Sequence, residues 1–355
     1  MDHQMRRRAL GARLGDFGVD ALLVTHLVNV RYLTGFTGSN AQLLVFGDDA
    51  LLLTDGRYTE QARREAADVE RVTYERVYRG DVAARVASGS TLGVEAGHMT
   101  LGEHAKLTAA LDAVVVAPLE EVVEGARAAK DDGERELIRR AQAATDAAFD
   151  DVLELLAGGV NEHHIARELD RLVREQGADD MSFDPIVAFG ESAAEPHHEP
   201  GHRILMEGDV IKLDFGGEAE GYHADMTRTI SFGAPAPELR KIHDVVRESQ
   251  QAGIDAVVAG VPAAEVDRAC RSVIEAAGYG ERFVHGTGHG VGLEVHEQPW
   301  VGSAFTDPLP EGAVLTVEPG IYVPGLGGVR IEDMVEVMAG GSRVVGTSTR
   351  DLIEL

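Results

Sequence analysis

Leu205-Met206-Glu207-Gly208-Asp209-Val210-Ile211-Lys212-Leu213-Asp214-Phe215-Gly216 is a short apolar run that follows a Glu-Gly turn and closes on a carboxylate. The chain repeats it in Leu309-Pro310-Glu311-Gly312-Ala313-Val314-Leu315-Thr316-Val317-Glu318-Pro319-Gly320. Val210–Leu213 and Val314–Val317 both read as buried strands. In this match Asp214 falls on Glu318 and Gly216 on Gly320; further on, Asp225 falls on Glu332. Upstream, Gly159-Val160 matches Gly260-Val261, Ile165 matches Val266, Arg167 matches Arg268, Val173 matches Ile274, and Gly177 matches Gly278. Chance likeness between helix–strand units explains matched glycines and apolar residues. It does not explain acids recurring at matched places in strands, so the pattern reads as an internal duplication.

Working outward, the periodicity predicts helices over Glu134–Leu156, Asn161–Gln176, Glu238–Val258 and Ala263–Ala277. Strands are predicted at Ile186–Phe189, Val210–Phe215, Met226–Phe232, Ala313–Val317 and Val329–Val337. That makes 134–355 an α+β domain. Residues 1–125 read as a separate α/β domain. In it, short apolar runs (Ala21–Thr25, Gln42–Phe46, Leu51–Thr54, Leu92–Glu95, Ala113–Ala117) alternate with helical stretches such as Arg6–Phe17, Thr59–Ala66 and Thr100–Ala110. Small and charged residues over 126–133 read as a linker.

Two domains suit 355 residues. The net charge of -27 argues against a nucleic-acid partner, which calls for a basic surface. A single cysteine, Cys270, forms neither an internal disulfide nor a thiolate cage, so any metal must be held by His, Asp and Glu. No apolar run approaches the roughly 18 residues of a membrane span. Arg6-Arg7-Arg8 resembles the start of a signal peptide, but Asp16 and Asp20 break up the stretch where its apolar region would lie. A soluble, cytoplasmic protein is expected.

A carboxylate in a core strand is costly unless it is paired or bound to a cation. Taken singly, Asp214, Asp225, Glu318 and Glu332 read as solvated strand ends or salt-bridge partners. Taken together, four acids converging across a pseudo-twofold call for divalent cations, and bridging carboxylates favour two ions about 3.5–4 Å apart. His289, between Gly288 and Gly290, offers a nitrogen ligand where backbone can approach closely. Other chemistries lack their marks. Gly286–Gly292 has no Lys-Ser/Thr tail for a phosphate loop, and there is no G-x-S-x-G elbow. Adjacent His163 and His164 do not share a helix face. His98, His104, His202 and His243 show no ligand spacing.

The acids and glycines lie in five blocks. They are Leu213–Gly216, Ala224–Thr229, Gly288–Gly292, Val317–Tyr322 and Gly328–Asp333. In this order they resemble the signature of the pita-bread-fold metallopeptidases. Asn29–Phe36 and Thr54–Tyr58 resemble the extra N-terminal domain of the proline-specific branch, Xaa-Pro dipeptidase (prolidase) and aminopeptidase P, so the resemblance spans nearly the whole chain. It implies a creatinase-like α/β N-terminal domain before a duplicated pita-bread catalytic domain. It implies two divalent ions, Mn²⁺ favoured and Zn²⁺ or Co²⁺ as alternatives. Asp225 and Glu332 would bridge them, Asp214 would hold one, and His289 and Glu318 the other. The implied reaction is hydrolysis of Xaa-Pro bonds by a metal-activated hydroxide, with Glu318 as proton shuttle. His197 (favoured over His198) and His296 would act at the scissile carbonyl. His285 would lie near the substrate's carboxyl side, and Arg330 and Tyr222 would serve the substrate side or orient the metal carboxylates. A homodimer is expected by analogy. Prolidase activity on dipeptides is the expected one, with aminopeptidase P activity on longer peptides as the alternative. A metal-free creatinase-like amidinohydrolase or a non-catalytic binding homologue would be expected to have lost ligands, and all five positions are filled.

Overall fold

The glycines that recur along the chain recur in conformation. The computed structural model describes all residues, Met1–Leu355, and divides into two units, Met1–Arg127 and Ala128–Leu355. In the second unit Gly159 and Gly260 have φ of 98° and 84°, and Gly208 and Gly312 have 87° and 83°, a left-handed region open to glycine. Their hydrogen bonds repeat too. Gly208 N–H donates to Phe232 O, and Gly312 N–H to Val337 O. Leu205 N–H donates to Val160 O, and Leu309 N–H to Val261 O, each at 2.9 Å.

Each half places a helix pair against an antiparallel strand pair. The first half has helices Asp132–Leu153 and Glu162–Glu175 and strands Val210–Phe215 and Met226–Ser231, in register with Asp214 opposite Thr227. The second has Pro237–Ala256, Ala263–Ala276, Val314–Val317 and Asp333–Met338, with Val317 opposite Asp333. Each half has its own apolar core: Phe149, Leu169, Val187 and Phe215 in one, Ile242, Val266, Ile274 and Val317 in the other. Cys270 is buried in the second core, and burial pushes its thiol up to about 12, so it is inert.

Two departures from the predicted elements matter. The expected strand Val329–Val337 is two strands, Gly327–Arg330 and Asp333–Met338, broken at Ile331-Glu332. The reason is that Glu332 N–H donates to Thr227 O of the sister half (3.1 Å). The stretch 126–133 lost its period because its residues cap and pair. Helix Val122–Arg127 enters it, Lys130 is buried against Glu297 at 2.9 Å, and Asp131 forms a capping box with Glu134.

The first unit is a six-stranded sheet. Its strands are β1 (Ala21–Val24), β2 (Ala41–Phe46), β3 (Asp49–Asp55), β4 (Glu70–Tyr74), β5 (Thr91–Glu95) and β6 (Val115–Leu119), ordered β4-β3-β2-β1-β5-β6. β1, β5 and β6 are parallel neighbours. Leu22, Leu23 and Val24 of central β1 are fully buried, as a strand covered on both faces requires. Edge strand β4 was missed because Glu70-Arg71-Val72-Thr73-Tyr74 is mostly polar. Arg6 and Arg7 are buried and donate to the Tyr32 and Leu33 carbonyls (3.1 and 2.7 Å). They satisfy the last turn of helix Leu27–Thr34. No helix is long and apolar enough to cross a membrane.

Candidate metal centre

Strand alternation aims the site residues. Lys212 and Asp214 share one face of their strand, and Asp225, Thr227 and Thr229 one face of the sister segment. His289 sits on Gly288–Gly290, where backbone passes very close. A Cβ on Gly288 would lie 2.0 Å from Thr316 O, and one on Gly290 2.2 Å from Gln298 O. Neither neighbour of His289 can therefore be anything but glycine without moving a strand.

These elements enclose a cavity of about 370 Å³. Asp214, Asp225, His289, Glu318 and Glu332 all line it, with His197, His285, His296 and Arg330. Ligand atoms of Asp225, His289 and Glu332 lie within 4.8 Å of one another. His289 Nε2 is 3.6 Å from Asp225 Oδ2 and 3.4 Å from Glu318 Oε1. His289 Nδ1 is 3.1 Å from the Gly290 carbonyl, which can only accept, so Nδ1 carries the proton. In the neutral ring the Nε2 lone pair then faces the acids, the tautomer a metal ligand needs.

Charge is unbalanced. Arg330 pairs with Asp214 and approaches Glu318 at 3.9 Å. One guanidinium thus faces four carboxylates. Burial, then Glu332, Asp214 and Glu318, push the Asp225 carboxyl well above its ordinary range. Burial, then Glu318 and Asp214, do the same to Glu332. Burial also raises Glu318, but in the metal-free fold a protonated His289, through hydrogen bonding and charge, outweighs it with help from Arg330 and brings the group down to about 2. Asp214 Oδ1 is buried with no hydrogen-bond partner. Excess negative charge, an orphaned carboxylate oxygen and a lone pair aimed among them fit a divalent-cation site.

The outer residues sort themselves by contact. Arg330 commits four donors to the protein: Thr227 Oγ1 (2.9 Å), Tyr322 OH (3.0 Å), Pro196 O (3.1 Å) and Asp214. It frames the acids rather than waiting for a ligand. His285 Nδ1–H donates to Gly286 O (2.7 Å), so its Nε2 accepts from Tyr322 OH (2.9 Å). Burial and nearby Arg330 lower the His285 pKa, which keeps it neutral. Burial and nearby His289 and His197 lower His296 as well. His197 lines the cavity, whereas His198 faces Glu162 and Glu195, both at 2.9 Å.

Tyr222 departs from expectation. Its strand pairs with Gly217–Ala219 beside helix Asp132–Leu153, and its hydroxyl donates to Glu134 (2.9 Å) instead of joining the acids. Sequence reasoning missed Thr227, Tyr322 and Lys212. Thr227 had a signal, since it follows Asp225 at strand period. It also missed the apolar wall of Phe183, Ile186, Trp300 and Phe305, which has no motif.

Residues 136–339 match the metallopeptidase family M24, and residues 6–129 match the creatinase/prolidase N-terminal domain. The chain belongs to metallopeptidase family M24. It is 38% identical to the uncharacterized peptidase YqhT of Bacillus subtilis, over 99% of this chain and all of that protein. A solved Xaa-Pro dipeptidase from Bacillus anthracis superposes with a TM-score of 0.97 at 36% identity, covering all of both chains. A solved X-Pro aminopeptidase from Thermotoga maritima gives 0.89 at 34% identity, covering 97% of this chain and all of that one. The M24 peptidase is therefore an enzyme of creatinase-type N-terminal domain and pita-bread catalytic domain, the latter built by duplication.

Proposed function

We propose that this M24 peptidase is an Xaa-Pro dipeptidase. The observation that carries the reading is the convergence of Asp225, His289 and Glu332 beside the unpartnered Asp214 oxygen. Asp214, Asp225, His289, Glu318 and Glu332 would hold the two ions. Mn²⁺ is the proposed metal, because four carboxylates and one imidazole suit an oxygen-seeking ion. When bound, the pair supplies Lewis acidity, lowering the pKa of water and polarising the scissile carbonyl.

The chain's own residues do the rest. Glu318, a carboxylate on the cavity wall, would take a proton from water and return it to the leaving nitrogen. His296 and His197, on the cavity wall, are placed to donate to the carbonyl oxygen as charge develops there. Phe183, Ile186, Trp300 and Phe305 give an apolar seat for a proline ring and its neighbour. An Xaa-Pro amide has no N–H, so a site that grips the substrate through metal and imidazole is not handicapped by its loss.

The likeness to the Bacillus anthracis dipeptidase supports the dipeptide reading. One observation favours the second reading, aminopeptidase P activity. Arg330, the only Lys or Arg on the cavity wall, is already committed, so a dipeptide's free carboxylate finds no spare guanidinium there. The test is to strip metal with chelator and restore Mn²⁺, Zn²⁺ or Co²⁺ separately. Xaa-Pro dipeptides, Xaa-Pro-Xaa tripeptides and creatine are then compared as substrates. Metal-dependent cleavage of dipeptides is expected. Cleavage of tripeptides alone moves the assignment to aminopeptidase P, and cleavage of neither proline substrate removes the peptidase reading.

A further inference from the structure

His98 has no partner by spacing, yet the first unit sets it on another imidazole. The His26 and His98 rings stack with centroids 3.5 Å apart and planes 11° from parallel. Glu124 faces both, its Oε1 lying 3.9 Å from His26 Nδ1 and 3.8 Å from His98 Nε2. Those separations are too long for hydrogen bonds. They are close to the spacing of ligands around a common cation. Tetrahedral Zn²⁺ at about 2.0–2.1 Å from each ligand spaces them roughly 3.3 Å apart.

The place in the fold is apt. His26 comes just after β1, His98 just after β5, and Glu124 from the helix after β6. These are the carboxyl ends of three adjacent parallel strands, the edge where open α/β sheets bind ligands. Supporting bonds fix the ligands. The buried Glu95 carboxylate accepts the His26 backbone N–H (2.7 Å) and one Asn29 amide N–H (2.7 Å). The Asn29 amide also donates to Glu124 (2.6 Å), and Arg127 fixes Asn29 through its oxygen (2.8 Å). Hydrogen-bonded carboxylates and an oriented backbone are what a metal ligand set requires. A cavity of about 370 Å³, walled by His98, Glu124, Glu120 and Glu121, adjoins the cluster. Its acids attract cations, and it leaves a fourth position for water.

We propose that His26, His98 and Glu124 form a second metal site in the N-terminal domain, separate from the dinuclear centre and selective for an imidazole-seeking divalent ion such as Zn²⁺. Binding requires only that the two rings splay from their stack and close on Glu124 by about half an ångström. An ion there would tie the loops after β1, β5 and β6 together.

The test uses the full chain, stripped with chelator and equilibrated with Zn²⁺, with bound metal counted by elemental analysis. His98→Ala removes a ligand on an exposed turn, and Glu124→Gln keeps shape while removing charge. The expected result is that each variant binds one Zn²⁺ per chain fewer than the unaltered protein. With Co²⁺, the visible absorption of a histidine-ligated tetrahedral ion disappears in both variants. Peptidase activity with Mn²⁺ stays unchanged in both, so failure here is distinct from failure of the dipeptidase reading. Equal Zn²⁺ counts and equal Co²⁺ spectra in the unaltered protein and in both variants would overturn the proposal.

Discussion

Thr227 and Glu332 bind each other twice. The Thr227 hydroxyl donates to Glu332 Oε2 at 2.7 Å, and the Glu332 N–H donates to the Thr227 carbonyl at 3.1 Å. The two residues belong to different halves of the duplicated domain, so this pair sews the halves together at the acids. The same hydroxyl accepts from Arg330 Nε at 2.9 Å. Thr227→Val keeps the shape and deletes the hydroxyl, leaving a buried carboxylate and a guanidinium each short of a partner. Stability should fall by about 1–3 kcal/mol. Affinity for the activating metal should fall roughly 10–100-fold, the usual effect of losing a group that orients a ligand. Thermal unfolding and metal titration read the two effects, and Thr227→Ser should restore both. Undiminished metal affinity in Thr227→Val would show that Glu332 is oriented without it.

Metal removal should invert the pH response of stability. In the metal-free fold burial raises the Asp225 and Glu332 carboxyls well above their ordinary values, while the unfolded chain titrates near about 4. A folded-state pKa above the unfolded one stabilises at low pH, and that contribution is lost as pH rises through the raised values. The chelator-stripped protein should therefore lose melting temperature as pH rises from about 4.5 toward neutrality. A saturating divalent ion binds the ionised carboxylates and should abolish or reverse that slope. A stripped protein that gains stability over this range would mean the acids are already well solvated or paired.

The duplication was legible because its marks are local. Gly208 and Gly312 must turn with positive φ, and acids at the ends of apolar strands are conspicuous for their cost. What escaped depends on contacts between distant segments. The break at Ile331-Glu332 exists because Glu332 reaches Thr227, and nothing within Val329–Val337 announces it. Tyr222 sits close to Asp225 in sequence, but the side of the strand it occupies belongs to Glu134 and a helix. His26 and His98 meet only because β1 and β5, distant in sequence, are neighbours in the sheet. Arg6 and Arg7 looked like a targeting start because their charge is visible in the sequence and the carbonyls they satisfy are not.

Glu318 is the proposed proton carrier, and its Oε1 lies 3.4 Å from His289 Nε2. Glu318→Gln keeps the size and removes the proton acceptor. Turnover should drop about 10²–10⁴-fold, the range of a lost general base. Bound metal should also decline, because a neutral amide is the poorer ligand. Separating the effects requires assay at saturating Mn²⁺, with metal content measured in the same samples. Full turnover by metal-loaded Glu318→Gln would assign the proton transfer to another group.

Lys212 lies beneath the segment that carries His197. It is fully buried, and its Nζ donates to the carbonyls of Ala193 (3.4 Å), Glu195 (2.5 Å) and Pro196 (3.2 Å). Arg330 donates to the same Pro196 carbonyl at 3.1 Å. Lys212 and Arg330 thus fix the residue immediately before His197. Lys212→Met retains the apolar stem and strands the carbonyls, so stability should fall by about 1–3 kcal/mol. If Lys212 acts on catalysis by placing His197, the two substitutions must not add. Lys212→Met alone should lower kcat/KM, by up to about 10²-fold if the imidazole shifts by an ångström. In a His197→Ala background the same substitution should have little further effect, a coupling that a double-mutant cycle reads directly. Simple additivity would mean that Lys212 supports the fold and leaves the position of His197 to Arg330.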